Sequence, residues 1–147
     1  ISDWKNPDYD DKEWKEIFVP AFWETQGFKD YDGFAWYRVK FTLPEKYSNE
    51  NMVLMLGMID DIDQTFLNGT LVGSVGDWNF DIAPTNFNYN NEWETIRGYY
   101  IPDNVLLPGK ENTIAVRVYD GFIDGGIYKG PIGLITQNKY QEYWKSQ

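Results

Sequence analysis

Thr65-Phe66-Leu67-Asn68-Gly69-Thr70-Leu71-Val72-Gly73 decides the fold class. Runs rich in strand-forming residues flank Asn-Gly, a dipeptide that accepts the positive φ a two-residue type I′ turn demands at both central positions, so the stretch is a tight hairpin. Working outward, residues 52–58 form a continuous apolar run without polar alternation, which suits a strand covered on both faces. Residues 34–43 alternate instead. Tyr37, Val39 and Phe41 share one face, Trp36, Arg38 and Lys40 the other, and Pro44 ends the run. Downstream, 96–101 is a strand halted by Pro102, and 102–109 is a loop that turns Val105, Leu106 and Leu107 inward. In 111–119, Ile114, Val116 and Val118 face the core while Ala115, Arg117 and Tyr119 face away. Residues 127–135, punctuated by Gly130, Pro131 and Gly133, read as a final strand that bends or lies at an edge. Only 10–15 and 138–145 carry helical patterns, both short. The expected fold is all-β, an antiparallel β-sandwich of jelly-roll type, with Tyr37, Val39, Phe41, Leu54, Leu56, Ile114, Val116 and Val118 between its sheets.

A chain of 147 residues suits one domain with one sizeable core. It has neither the apolar run of about 18 residues that a membrane-spanning helix needs nor an internal repeat. The opening at Ile1, without Met, basic n-region or apolar h-region, looks like a processed or excised segment. Zero His and zero Cys exclude Ser-His-Asp triads, thiol nucleophiles and imidazole or thiolate zinc sites, leaving carboxylate, Tyr, Lys or Ser chemistry, or an oxygen-ligated hard cation. The absence of Cys leaves the redox compartment open. A net charge of -10 repels phosphate backbones and anionic membrane surfaces, so neither nucleic acid nor membrane is an expected partner. Aromatics are 18% of the chain, more than a core of this size needs. Combined with acidity, that surplus points to a neutral, hydroxyl-rich ligand: ring faces stack on sugar C–H faces and carboxylates accept hydroxyl protons. Rings that merely fill the sandwich are the alternative.

Several stretches carry a family resemblance. Trp14-Lys15-Glu16-Ile17-Phe18-Val19-Pro20, Phe22-Trp23-Glu24-Thr25-Gln26-Gly27-Phe28 and Ala35-Trp36-Tyr37-Arg38 come first. Ile59-Asp60-Asp61-Ile62-Asp63, Phe66-Leu67-Asn68-Gly69, Val72-Gly73, Arg97-Gly98-Tyr99 and Asn112-Thr113-Ile114-Ala115-Val116-Arg117-Val118 then follow in order. Together these resemble the N-terminal sugar-binding domain of family 2 glycoside hydrolases. With Gly125-Gly126-Ile127-Tyr128 added, the chain is similar to the β-galactosidase-like modules of bacterial sialate O-acetylesterases. The resemblance implies a galactose-binding-like module over residues 1–136, with 137–147 a C-terminal tail or the start of a linker. It further implies an accessory, non-catalytic role beside a glycosidase or carbohydrate esterase domain of the same parent chain, in an extracellular or periplasmic setting. The catalytic carboxylates of such enzymes belong to a separate barrel, for which this length has no room. Residues 77–94, rich in Asn and aromatics, match nothing in the family.

Asp60, Asp61 and Asp63 are the densest carboxylate cluster and a possible calcium site, since calcium takes six to eight oxygens. An EF-hand loop starting at Asp61 fails, because Phe66 and Val72 stand where Gly and Glu are required. Pinning the loop through backbone N–H or Arg bonds is the alternative role. Beyond this, no cofactor is expected. Arg38, Arg97 and Arg117 all fall inside strands, and Arg97 with Asp61 or Asp63 reads equally as a corner clamp or a ligand contact. Asn68-Gly69-Thr70 matches a glycosylation sequon, but the turn explains it. Glu24, Glu92 and Glu94 are the only plausible glycosidase donors, which would need a partner carboxylate about 5–9.5 Å away. For sugar stacking, Trp78 and Trp93 flank the Asn-rich stretch outside any convincing strand, with Asp61, Asp63, Arg97, Asp120 and Tyr128 as polar neighbours.

Overall fold

The computed structural model describes residues 2–78, 91–121 and 124–147. Among these, the strands are β1 (Gly33–Thr42), β2 (Met52–Asp60), β3 (Ile62–Leu67), β4 (Thr70–Val75), β5 (Ile96–Tyr100), β6 (Glu111–Asp120) and β7 (Gly126–Thr136), followed by α1 (Gln137–Lys145). They form a four-stranded sheet in the order β1-β6-β3-β4 and a three-stranded sheet in the order β5-β2-β7. All pairings are antiparallel, so the all-β sandwich is the fold. No helix among the described residues is long and apolar enough to cross a membrane.

The hairpin stands as read. Leu67 pairs with Thr70 across Asn68 and Gly69, whose φ values of 50° and 84° are the two positive angles the turn requires. The Asn68 side chain does further work: its Nδ2 donates to the Val105 carbonyl and to Asn112 Oδ1, and its Oδ1 accepts the Thr113 amide. These bonds tie the loop before β6 to the hairpin and explain Asn68 without a glycan.

β2 is the central strand of its sheet, and its unbroken apolar run is covered twice. Leu54, Leu56 and Ile59 join the core between the sheets, with Ile114, Val116, Val118, Leu67, Ile127 and Trp23. Val53 and Met55 face outward beneath Tyr140 of α1. The helical pattern read over 138–145 is thus α1, packed on the sheet through Tyr140; Thr136 caps it by accepting the Lys139 amide.

Two expectations are corrected. Residues 10–15 form turns, not a helix. The Arg38 guanidinium, 1% exposed, binds Asp11 and the carbonyls of Trp4, Asn6 and Tyr9, drawing the segment into a non-helical path over the outer face of the four-stranded sheet. Ala115 and Tyr119 point to that outer face as expected, and both are buried there. Val39 and Leu107 were placed inward, but Val39 is 55% and Leu107 42% exposed. Val39 lies on the correct face of β1, but the smaller sheet has no strand opposite it.

Candidate functional site

The passage from β2 to β3 and the loop leaving β6 meet at one end of the sandwich. Asp60 closes β2 in register with Gly126, and Asp120 closes β6. One carboxylate oxygen from each of Asp60, Asp61 and Asp120 lies within 4.8 Å of the others. The position of Asp61 is set by its backbone amide, which donates to the Tyr119 carbonyl (3.1 Å), and by its Oδ2, which accepts the Gly121 amide (3.1 Å). Burial raises the Asp60 carboxyl to about 9, helped by a hydrogen bond to and the charge of Asp61 and by the charges of Asp120 and Asp124. At neutral pH Asp60 therefore keeps its proton and donates it to Asp61, so the pair carries one charge fewer than its composition implies.

The 3-10 turn Trp23–Gln26 reaches this end from the other side. Trp23 is 2% exposed and anchors in the core, and Glu24 Oε2 accepts the Gly125 amide at 3.0 Å. Gly125 lies between these elements so closely that a Cβ there would fall 2.2 Å from the Trp23 ring and 2.6 Å from Asp120 Oδ2. Only glycine permits that approach.

An aromatic flank borders the acids. The Tyr128 ring stacks on Phe22, with centroids 4.7 Å apart and planes 6° from parallel, and its hydroxyl donates to the Trp93 carbonyl (2.5 Å). Burial, and then the charge of Asp60, push the Tyr128 hydroxyl pKa upward. Trp93, on the short turn Glu92–Glu94 before β5, is 44% exposed.

Beneath this end lies a sealed clamp. Arg97 Nε donates to Asp63 Oδ1 at 2.8 Å, with both side chains 0% exposed. The remaining guanidinium nitrogens bind the carbonyls of Glu92, Thr95 and Asp61. Asp63 also accepts from Tyr99 and Thr65. Burial still lifts the Asp63 carboxyl above its ordinary value, against the opposing pull of Arg97.

The structure therefore separates the residues singled out from sequence. Asp61, Asp120, Tyr128 and Trp93 gather at the end of the sandwich, with Asp61 (6% exposed) and Asp120 (0%) buried beneath the partly exposed Asp60. Asp63 and Arg97 form the corner clamp, the other of the two readings given to Arg97, and present no surface to a ligand. Trp78 is half-buried: its Nε1 donates to the Asp63 carbonyl (3.1 Å), Arg117 lies 4.7 Å over its ring, and Phe34 packs beside it. The acidic trio is also recast, since Asp120 replaces Asp63 beside Asp60 and Asp61. Within the unmatched stretch 77–94, residues 79–90 lie outside the described residues. Sequence reasoning missed Phe22, Asp124 and the contact from Glu24 to Gly125; the Gly125-Gly126 pair beside acidic residues was the available signal of a close backbone approach.

Chemically, this end offers a partly exposed carboxyl, Asp60, whose proton is held by Asp61 and whose other lone pairs can accept, beside stacked rings and the exposed Trp93. No protein-family model matches the chain, and no curated protein does. Solved structures do match. A Bacteroides uniformis β-glucuronidase 2, covalently bound to cyclophellitol-6-carboxylate aziridine, is 25% identical over 86% of this chain, with a TM-score of 0.68. Another Bacteroides uniformis β-glucuronidase structure is 24% identical over 88% of the chain, TM-score 0.69, and a Ruminococcus gnavus β-glucuronidase 21% identical over 81%, TM-score 0.63. The chain spans 15% of the length of the first two and 18% of the third. It therefore shares its sandwich with one domain-sized part of these glycosidases.

Proposed function

We propose that this chain is a non-catalytic, carbohydrate-binding accessory module of a glycan-degrading hydrolase, of the family 2 glycoside hydrolase type or its sialate esterase relatives. The observation that carries the reading is the convergence of Asp60, Asp61, Asp120, Tyr128 and exposed Trp93 at one end of a sandwich shared with part of β-glucuronidases. The partly exposed Asp60 takes a sugar hydroxyl over the buried Asp61 and Asp120, and Trp93 supplies the stacking face. A catalytic domain of the same parent chain is the expected neighbour, in an extracellular or periplasmic setting.

Geometry also supports the absence of catalysis in this module. Asp60 and Asp61 pair a raised carboxyl with a neighbouring acid, but they hydrogen-bond to each other, whereas glycosidase carboxylates stand about 5–9.5 Å apart across the scissile bond. A structural module without a ligand is the second reading, favoured by the complete burial of Asp63 and Arg97.

Titration calorimetry against galactosides, glucuronides, sialylated glycans and plant oligosaccharides tests the choice. The proposal expects Trp93→Ala to lose about 1–3 kcal/mol of affinity with little change in melting, the range for removing a contact hot spot. Trp78→Ala should instead lose stability. Absence of binding across the panel, or a Trp93→Ala protein that binds as wild type, favours the structural module.

A further inference from the structure

We propose that the outer face of the three-stranded sheet carries a second saccharide-binding surface, a platform of Tyr100, Tyr140 and Trp144 that takes a neutral oligosaccharide chain. It stands on other residues than the acidic end and does not depend on ligand binding there. β5 and α1 build it. Tyr100 pairs with Val53 and Gly98 with Met55, and Val53 and Met55 face outward beneath Tyr140, so Tyr100 and Gly98 share that outer face. A Cβ on Gly98 would fall 2.2 Å from the Tyr140 hydroxyl and 2.6 Å from its ring, so glycine is what lets the phenol lie against the strand. Trp144 follows Tyr140 by one helical turn, on the same side of α1. The Tyr140 ring touches both neighbours edge to face: Tyr100 at 5.6 Å and Trp144 at 6.2 Å between centroids, each at 85°.

Packing does not account for the trio. The apolar cluster under α1 is Val53, Met55 and Tyr140 with Ile135 and Tyr143, and neither Tyr100 nor Trp144 belongs to it. Tyr100 is 51% and Trp144 43% exposed. Tyr140 is 9% exposed, and a tyrosine so covered ordinarily gives its hydroxyl a partner in the protein. Here the two hydroxyls and the indole N–H make no hydrogen bond among the described residues, and the Tyr140 oxygen still reaches the surface. The patch thus combines open ring faces with three uncommitted polar groups.

Its size and charge select the occupant. Two rings that would bury about 150–250 Å² each fall short of the roughly 800 Å² per partner that a stable protein interface buries, so neither a second copy nor another protein is the match. No Lys or Arg lies over these three rings among the described residues, so an anion finds no partner. A sugar fits both features: its C–H faces stack on Tyr100 and Trp144, and its hydroxyls meet the phenols and the indole N–H. Two stacking rings with a hydroxyl between them in the contact order suit several linked sugar units better than one.

Affinity electrophoresis through gels containing a soluble β-glucan, xylan or galactan tests the proposal, with titration of oligosaccharides cut from whichever retards the chain. Trp93→Ala serves as the parent protein, so that stacking at the acidic end contributes nothing. The parent should still be retarded, and Tyr100→Ala or Trp144→Ala added to it should weaken affinity about 10-fold, as loss of a contact hot spot does. Tyr140→Phe keeps the packed ring and removes a hydroxyl that the fold does not use, so it should weaken affinity about 5-fold at an unchanged melting temperature. A parent that none of the three polysaccharides retards overturns the proposal, whether or not the wild-type chain binds through Trp93. Tyr100→Ala and Tyr140→Phe proteins that fold and bind as the parent does also overturn it.

Discussion

Replacing Arg97 by Met removes the only cation facing a fully buried Asp63 among the described residues, and its cost follows from what stays behind. The pair is 2.8 Å apart with both side chains 0% exposed, so solvent cannot take over the lost interaction. Tyr99 and Thr65 continue to donate to Asp63, but the carbonyls of Glu92, Thr95 and Asp61 lose a charged donor. Breaking a buried pair by removing one partner costs about 3–5 kcal/mol, and the orphaned carbonyls place Arg97→Met toward the upper half of that range at pH 8. Against a typical domain stability of about 5–15 kcal/mol, this is enough to unfold a marginal protein. The pH dependence is the sharper test. Burial already raises the Asp63 carboxyl, and Arg97 is the first influence holding it down. In the variant the carboxyl rises further and stays protonated into higher pH. A carboxyl raised on folding gives its full stabilisation below the unfolded value, about 3.9, and loses it as pH climbs through the folded value. Urea unfolding at pH 4.5 and pH 8 should therefore show Arg97→Met nearer to wild type at the lower pH. Adding Asp63→Asn should remove most of that difference. A deficit below about 1 kcal/mol at pH 8, the scale of an exposed pair, would refute the sealed clamp; so would a deficit equal at both pH values.

Gly69→Val should destabilise by about 1–3 kcal/mol: its φ of 84° strains a β-branched residue, while the nearest atoms to a new Cβ, at 3.6 Å and beyond, leave it room. An unchanged urea midpoint would refute the type I′ turn. Asp60→Asn should flatten the decline in stability as pH rises from about 4 to 9, because the raised Asp60 carboxyl loses its proton in that window. A slope identical to wild type in midpoints at pH 5, 7 and 9 contradicts the shared proton. If calcium binds at Asp60, Asp61 and Asp120, it must displace that proton, so millimolar calcium should raise the melting temperature more at pH 9 than at pH 6. No shift at either pH with calcium or chelator removes calcium from consideration.

What could be read from sequence was local. Asn68-Gly69 specifies its turn within two residues, and the apolar run of β2 announces cover on both faces whatever supplies it. The losses were all non-local. Alternation correctly put Val39 on the inner face of β1, but whether that face is covered depends on how many strands the opposite sheet contains. Residues 10–15 have a helical pattern, and a guanidinium on another element binds the carbonyls around them. At the site, Asp60, Asp61 and Asp63 are neighbours in the chain. Strand alternation nevertheless sends Asp63 into the core toward Arg97, while the end of β6 delivers Asp120 in its place.

The three arginines show why the acidic end stays acidic. Each lies on a strand and is consumed by structure: Arg38 holds the N-terminal segment, Arg97 closes the corner, and Arg117 lies over the rings of Phe34 and Trp78. A guanidinium suits these positions because its rigid planar fork holds several acceptors in fixed directions and can lie flat on a ring, whereas an ammonium is a compact point charge. With Arg97 turned inward to Asp63, no ion pair among the described residues reaches Asp60 or Asp61. The repulsion between Asp60 and Asp61 is relieved by a proton on Asp60. On the proposed reading of this end as a ligand site, the partly exposed Asp60 carboxyl favours a ligand rich in hydroxyls over an anion, because an anion would add charge beside Asp61 and Asp120.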